Sequence, residues 1–180
     1  MKFVQPIRDP DVIEAIKQYL KKTNNRNYIM FCIGIYTGLR ISDILNLRVS
    51  DVMKERIFVK EIKTRKENKV PVNPELRKIL DGYIKGKEPY EYLLPSRKGT
   101  NRPIKREQAY RILRSVARRF GLESIGTHTL RKTFGYHFHK MNNNTELLRV
   151  IFNHTDVTIT RRYIGIEQDT IDEAIFKLRY

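Results

Sequence analysis

A chain of 180 residues with 40% hydrophobic and 31% charged residues is long enough for one domain with its own core and too apolar for a disordered tail. Its 36 Lys and Arg against 20 Asp and Glu leave a formal charge of +16 and a pI near 10.0, a balance that calls for a polyanionic partner. No apolar stretch is long enough to span a bilayer and Met1–Pro10 lacks the apolar segment of a secretory signal, while the single cysteine, Cys32, can form neither an internal disulfide nor a metal cluster, which fits a reducing cytoplasm.

Residues 1–8 read as an extended arm, after which Asp9-Pro10 starts a helix with Asp9 as N-cap and Pro10 at the first helical position. Val12, Ile13, Ile16, Tyr19 and Leu20 give that helix one apolar face. Residues 27–36 are almost wholly apolar, which predicts a buried helix ended by Gly38, and a short helix follows around Ser42–Leu47. The runs IFVKEI (57–62) and KVPV (69–72) are strand-like and joined by the polar turn TRKEN, which makes a hairpin, and Tyr92–Leu94 is a candidate third strand. Pro74 opens a helix to about Lys85. From Lys105 to Phe120 the pattern is helical, with Ala109, Ile112, Leu113, Val116 and Phe120 inward and Arg111, Arg114 and Arg118 on another face. Thr127 caps a helix to about Met141, short helices fill 145–153 and 156–163, and a last one from about Asp169 to Leu178 turns Ile171, Ala174, Ile175 and Leu178 inward. The fold expected is mainly α with a small antiparallel β-sheet (α+β).

Arg40, at the end of the buried helix, stands on a rigid platform, where a planar, permanently charged guanidinium can take two phosphate oxygens at once. Asp43, three residues on, is placed to orient Arg40 or Arg131. His128 and Arg131 are three apart on one helical face at a helix start, whose field favours an anion. Lys63, Arg65, Lys66 and Lys69 ride on the hairpin, and the chemistry of a proton donor does not choose among the lysines. His154 sits in FNHTD, and Tyr163 follows it by nine residues in TRRYIG. Arg102, Lys105, Arg106, Arg111, Arg114, Arg118 and Arg119 concentrate cations in one segment, fit for contacts to nucleic-acid phosphates.

The ordered segments TGLRISD, EIKTRKENKVPV, THTLRKT, FNHTD and TRRYIG resemble the catalytic domain of the tyrosine recombinases, the phage integrase family, from about residue 7 to the C-terminus. That resemblance implies a site made of Arg40, Lys63, His128, Arg131, His154 and Tyr163, with Lys63 preferred over its neighbours. Two arginines and two histidines would hold a phosphodiester, Tyr163 would attack it to form a 3′-phosphotyrosyl bond, and Lys63 would protonate the leaving 5′-oxygen. His154 follows Asn153 where the family commonly has glycine, and asparagine also tolerates a left-handed backbone. DNA-contacting residues would be Arg65, Lys66, Arg102, Lys105, Arg106, Arg111, Arg114 and Arg118.

The resemblance implies site-specific DNA recombination (integration or excision) with double-stranded DNA as partner, no metal or nucleotide cofactor, no small-molecule substrate and no membrane. It further implies a tetramer assembled on DNA from a chain monomeric in solution, and a cytoplasmic, nucleoid-associated enzyme. Residues 9–180 would be the catalytic domain behind the 1–8 arm, without the helical core-binding domain that usually precedes it. A type IB topoisomerase-like relaxing enzyme, with the same chemistry, and a non-catalytic DNA-binding regulator are the alternatives.

Overall fold

The computed structural model describes residues 4–63, 65 and 67–179. Helix α1 (Pro10–Thr23) begins as expected, with the Asp9 carboxylate accepting from the Asp11 N–H. Helix α2 (Asn25–Thr37) is buried over most of its length and ends at Gly38, whose φ of 65° only glycine adopts without strain. Helix α3 (Ile41–Leu45) and a 3₁₀ turn (Val49–Val52) lead to strands β1 (Arg56–Lys60) and β2 (Glu67–Pro71), paired antiparallel from Arg56↔Pro71 to Lys60↔Glu67. Ile57 and Val59 alternate inward from β1, while β2 is mostly exposed. Helices α4 (Pro74–Ile84), α5 (Arg106–Arg119), α6 (Thr129–Asn142), α7 (Thr145–Phe152), α8 (Val157–Ile164) and α9 (Ile166–Phe176) complete the chain.

Two apolar cores form, and α6 runs between them. The larger joins α1 to α5, β1 and Leu130 of α6. The smaller joins Tyr136 of α6 to Leu148 and Phe152 of α7, Ile164 of α8 and Ile166 of α9. Glycines let α6 approach both. A Cβ on Gly34 of α2 would lie 2.6 Å from Leu130 Cβ, and one on Gly135 of α6 would lie 2.6 Å from Ile164 Cγ2. Arg131 follows Leu130 directly, so the seam between the cores is where its side chain emerges.

The arm is tied down. Gln5 N–H donates to Ser124 O (2.8 Å), Ile7 N–H to Thr133 Oγ1 (2.9 Å) and Lys132 Nζ to Val4 O (2.8 Å). His137 Nε2 lies 2.9 Å from Ile7 O, which makes it a structural histidine. Arg8 pairs with Asp169 of α9 at 3.0 Å.

Three expectations are corrected. Tyr92–Leu94 is not a third strand: Tyr92 makes a single bridge to Arg48, because the facing segment turns into the 3₁₀ helix at Val49 and Pro95 brings no N–H to extend a ladder. Thr127 does not cap α6. Thr129 N–H bonds to Gly126 O and Gly126 N–H to Thr129 Oγ1, a closed turn that makes His128 the cap residue. The last helix starts earlier, at Ile166, immediately after Gly165 (φ 79°). That entry angle buries Ile166 alone, and Ile171, Ala174, Ile175 and Leu178 face outward rather than inward.

Candidate active site

Tyr163, on α8, is the point on which the site closes. Its hydroxyl lies 3.3 Å from His128 Nδ1, and its ring stands edge to face against His154 at a centroid distance of 5.3 Å. Phe152 packs a third ring against it at 5.6 Å, and the Lys132 ammonium lies 5.0 Å from its centre.

Arg131 is buried. NH1 donates to Gly38 O (2.6 Å), NH2 to Phe152 O (3.0 Å), and the guanidinium carbon lies over the Phe152 ring, 4.2 Å from its centre. One side chain thereby joins the end of α2 to the end of α7. His154 follows from the same local design: Asn153 closes α7 in the left-handed region (φ 54°), and His154 Nδ1 then meets Thr160 Oγ1 at 3.0 Å. The threonine of the Thr160–Tyr163 segment is thus the group that sets the ring of His154.

Arg40 caps the start of α3. Its NH1 bonds to Glu61 Oε2 at 2.6 Å and lies 4.0 Å from Asp43 Oδ2. Asp43 is deeply buried, and its Oδ1 accepts the Ile62 N–H at 3.0 Å, which pins the far end of β1 against α3. Asn68 Nδ2 reaches the other Glu61 oxygen at 3.3 Å. Of the two partners proposed for Asp43, Arg40 is therefore the near one.

Charge and burial set the protonation of the site. Desolvation raises the Tyr163 phenol, against the pull of Arg131 and Arg40, so the phenol keeps its proton in this DNA-free state and burial outweighs the cations expected to ionise it. Desolvation and the surrounding cations lower both His128 and His154, which leaves both rings neutral near pH 7. Burial lowers Lys132 to about 8. Burial also raises Asp43, with the Ile62 N–H and Arg40 working against it.

Arg40, His128, Arg131, His154 and Tyr163 thus surround one space. Lys63 is exposed on the turn after β1. Lys69 lies along β2 over Phe58, Arg65 is exposed with a left-handed backbone, and Lys66 lies outside the described residues. Glu61 and Lys132 carry no sequence signal that marked them, since both matter through partners distant in the chain.

Beside the site runs an open groove of about 770 Å³ lined by Arg106, Tyr110, Arg111, Arg114, Arg118 and Thr127. Thr127 adjoins His128, so the groove leads to the phenol. Arg102 and Lys105 are exposed just before α5, whereas Arg119 points to the opposite side and stacks on Tyr19 at 4.6 Å.

Comparison with known proteins gives the family of the chain. The family model "Phage integrase family" matches residues 8–169. A probable integrase/recombinase, YoeC of Bacillus subtilis (strain 168), is 48% identical over 175 residues, spanning 97% of this chain and 96% of that one. A tyrosine recombinase of Pseudothermotoga lettingae is 31% identical over 174 residues, spanning 94% of this chain but 59% of its own. Among solved structures, the XerH site-specific recombinase bound to palindromic difH substrate in a post-cleavage complex superposes with a TM-score of 0.72 at 19% identity, covering 97% of this chain and 53% of that one. The chain therefore matches nearly all of the Bacillus relative and between half and two thirds of the other two.

Proposed function

Because the chain belongs to the phage integrase family, we propose that it is a tyrosine-type site-specific recombinase that cuts and rejoins double-stranded DNA. The observation that carries this reading is the Tyr163 hydroxyl, 3.3 Å from a neutral His128 and enclosed by His154, Arg131 and Arg40. The phenol oxygen attacks phosphorus while His128 takes its proton. Arg40 and Arg131 neutralise the charge that grows on the non-bridging oxygens, and His154 donates to one of them. The O5′–P bond breaks, the leaving oxygen takes a proton from Lys63, and a 3′-phosphotyrosyl bond remains. Attack by the 5′-hydroxyl of a partner strand reverses each step, so no nucleotide is consumed.

The arginine-lined groove supports DNA as the partner. Its contacts go to phosphates, so log affinity falls against log salt at about −0.9 per phosphate engaged. Arg65, Lys66, Arg102, Lys105, Arg106, Arg111, Arg114 and Arg118 are the residues assigned to it, and residues 9–180 are the catalytic unit behind the 1–8 arm. Two separate apolar surfaces support assembly into a tetramer on DNA: the outer face of α9 (Ile171, Ile175, Phe176 and Leu178) and an exposed stripe on α7 (Leu147, Val150 and Ile151). Unlike patches joined head to tail close a ring. No helix among the described residues is long and apolar enough to cross a membrane, and we place the enzyme with the nucleoid. The matched relatives are integrases and recombinases, which leaves the relaxing enzyme and the non-catalytic regulator without support.

The test is covalent trapping. A pool of nicked duplexes of randomised sequence, incubated with the chain, is expected to yield a protein–DNA adduct that maps to the peptide containing Tyr163. Tyr163→Phe should form none while still binding duplex. An adduct on another tyrosine would refute the assignment, and strand exchange between duplexes, as opposed to supercoil relaxation alone, separates recombinase from topoisomerase.

A further inference from the structure

We propose that Glu61 is a built-in stand-in for the scissile phosphate: its carboxylate occupies Arg40 in the DNA-free chain and has to leave before Arg40 can hold DNA. This inference rests on the reading of Arg40 as a phosphate clamp.

The geometry that carries it is the 2.6 Å contact between Arg40 NH1 and Glu61 Oε2, a charge-assisted bond between two largely enclosed side chains. A carboxylate and a phosphodiester present the same thing to a guanidinium: two oxygens in a plane sharing one negative charge. Whatever edge of Arg40 remains open, a phosphate arriving there meets the charge of Glu61 close by, and like charges in a site this enclosed repel strongly. An acidic residue meant only to orient Arg40 would be better placed in the rigid core. Asp43 already fills that place, on α3 itself, 4.0 Å from Arg40 and almost wholly buried.

Glu61, by contrast, sits where the hairpin leaves β1. Its second oxygen is held by Asn68 of β2, so the hairpin grips the carboxylate from both of its strands. Ile57 and Val59 seat β1 in the larger core and Asp43 holds the Ile62 N–H, so what can swing is the Glu61 side chain rather than the whole hairpin. Lys63 lies two residues beyond Glu61 on the same segment. A swing of the Glu61 side chain away from Arg40 withdraws the negative charge while the backbone that carries Lys63 stays held through Ile62. A phosphodiester that displaces the carboxylate takes Arg40, and an anion that cannot outcompete Glu61 leaves the clamp occupied.

The test is a double-variant cycle on the full chain. Binding is read by fluorescence anisotropy with a short duplex of arbitrary sequence, and chemistry by single-turnover adduct formation from the nicked pool at saturating DNA. Glu61→Gln should tighten duplex binding by about tenfold and leave the adduct rate equal to wild type or faster. Glu61→Asp, which keeps the charge, should stay close to wild type in binding. In an Arg40→Ala background, Glu61→Gln should gain no more than Glu107→Gln, a control for loss of any negative charge on the basic face. Weaker or unchanged binding by Glu61→Gln, a slowed adduct rate, or an equal gain without Arg40 overturns the proposal and makes Glu61 a permanent orienting group. Absence of any adduct from the wild-type chain sinks the proposed reaction instead, and the binding cycle still decides the role of Glu61.

Discussion

Arg131 donates to the carbonyl oxygen of Gly38 at 2.6 Å, so one arginine of the clamp is bonded to the turn that positions the other, Arg40 two residues later. Its second hand, on Phe152 O, fixes the turn that positions His154. Neither carbonyl is contacted by a charge alone. The planar fork spans both.

Arg131→Lys is therefore expected to fail although it keeps the charge. A lysine ammonium cannot reach two carbonyls on opposite sides of the seam, and each buried carbonyl left unpaired costs about 1–3 kcal/mol. Single-turnover cleavage should fall about 100- to 1,000-fold, and the melting temperature should drop with it. Wild-type cleavage by Arg131→Lys would show that charge, not the span, is what the site needs.

Lys63, exposed on the turn after β1, is assigned the leaving-group proton. A substrate whose bridging 5′-oxygen is replaced by sulfur needs no proton to leave. Lys63→Ala should be slow on ordinary DNA and recover on the sulfur substrate, while Arg40→Ala should recover on neither. Rescue of Lys66→Ala or Lys69→Ala in place of Lys63→Ala would move the assignment along the hairpin.

The histidines give a pH signature. Burial and neighbouring cations hold His128 and His154 below the unfolded value of about 6.5, so the unfolded chain binds protons that the folded one refuses. The stability tied to both is whole above about pH 6.5 and is lost as the pH falls through the depressed folded values. Thermal melts should show a lower melting temperature at pH 5.5 than at pH 7.5, and a His128→Gln/His154→Gln double variant should show a smaller difference. An equal difference in the double variant would put the titration elsewhere.

Gly34 is where α2 and α6 meet, with a Cβ there 2.6 Å from Leu130 Cβ and 2.5 Å from its Cδ1. Gly34→Ala should destabilise by about 1–3 kcal/mol in chemical denaturation, because helix backbones must part to admit one methyl group. The parting also draws Arg131 from Gly38, so cleavage should fall further than binding. An unchanged denaturation midpoint would show that the crossing relaxes freely.

Where the sequence was legible, local chemistry decided the outcome. Asp9-Pro10 and Gly38 punctuate helices within a few residues of themselves, and five of the six expected site residues meet because each lies on or beside a helix whose apolar face the core selects. Two kinds of information were not local. Whether an apolar stripe faces a core or solvent depends on what stands opposite, which is why α9 buries Ile166 but turns Ile171 and Ile175 outward. The pairing of Glu61 with Arg40 depends on a turn folding back over α3, and no spacing between the two records it. Lys63 shows the same limit from the other side: its place in the chain matches a catalytic lysine, but its exposed side chain meets no partner among the described residues that a spacing could record.

The amino-terminal arm acts as a mechanical tether. Lys132, whose ammonium faces the Tyr163 ring, donates to Val4 O, Ile7 is pinned to α6 and buried in the larger core, and Arg8 is tied to α9. Tension on the amino end is therefore shared between the two helices beside Tyr163 and the larger core. A load attached ahead of Val4 is expected to be felt at the Tyr163 ring and in the seating of α1 alike.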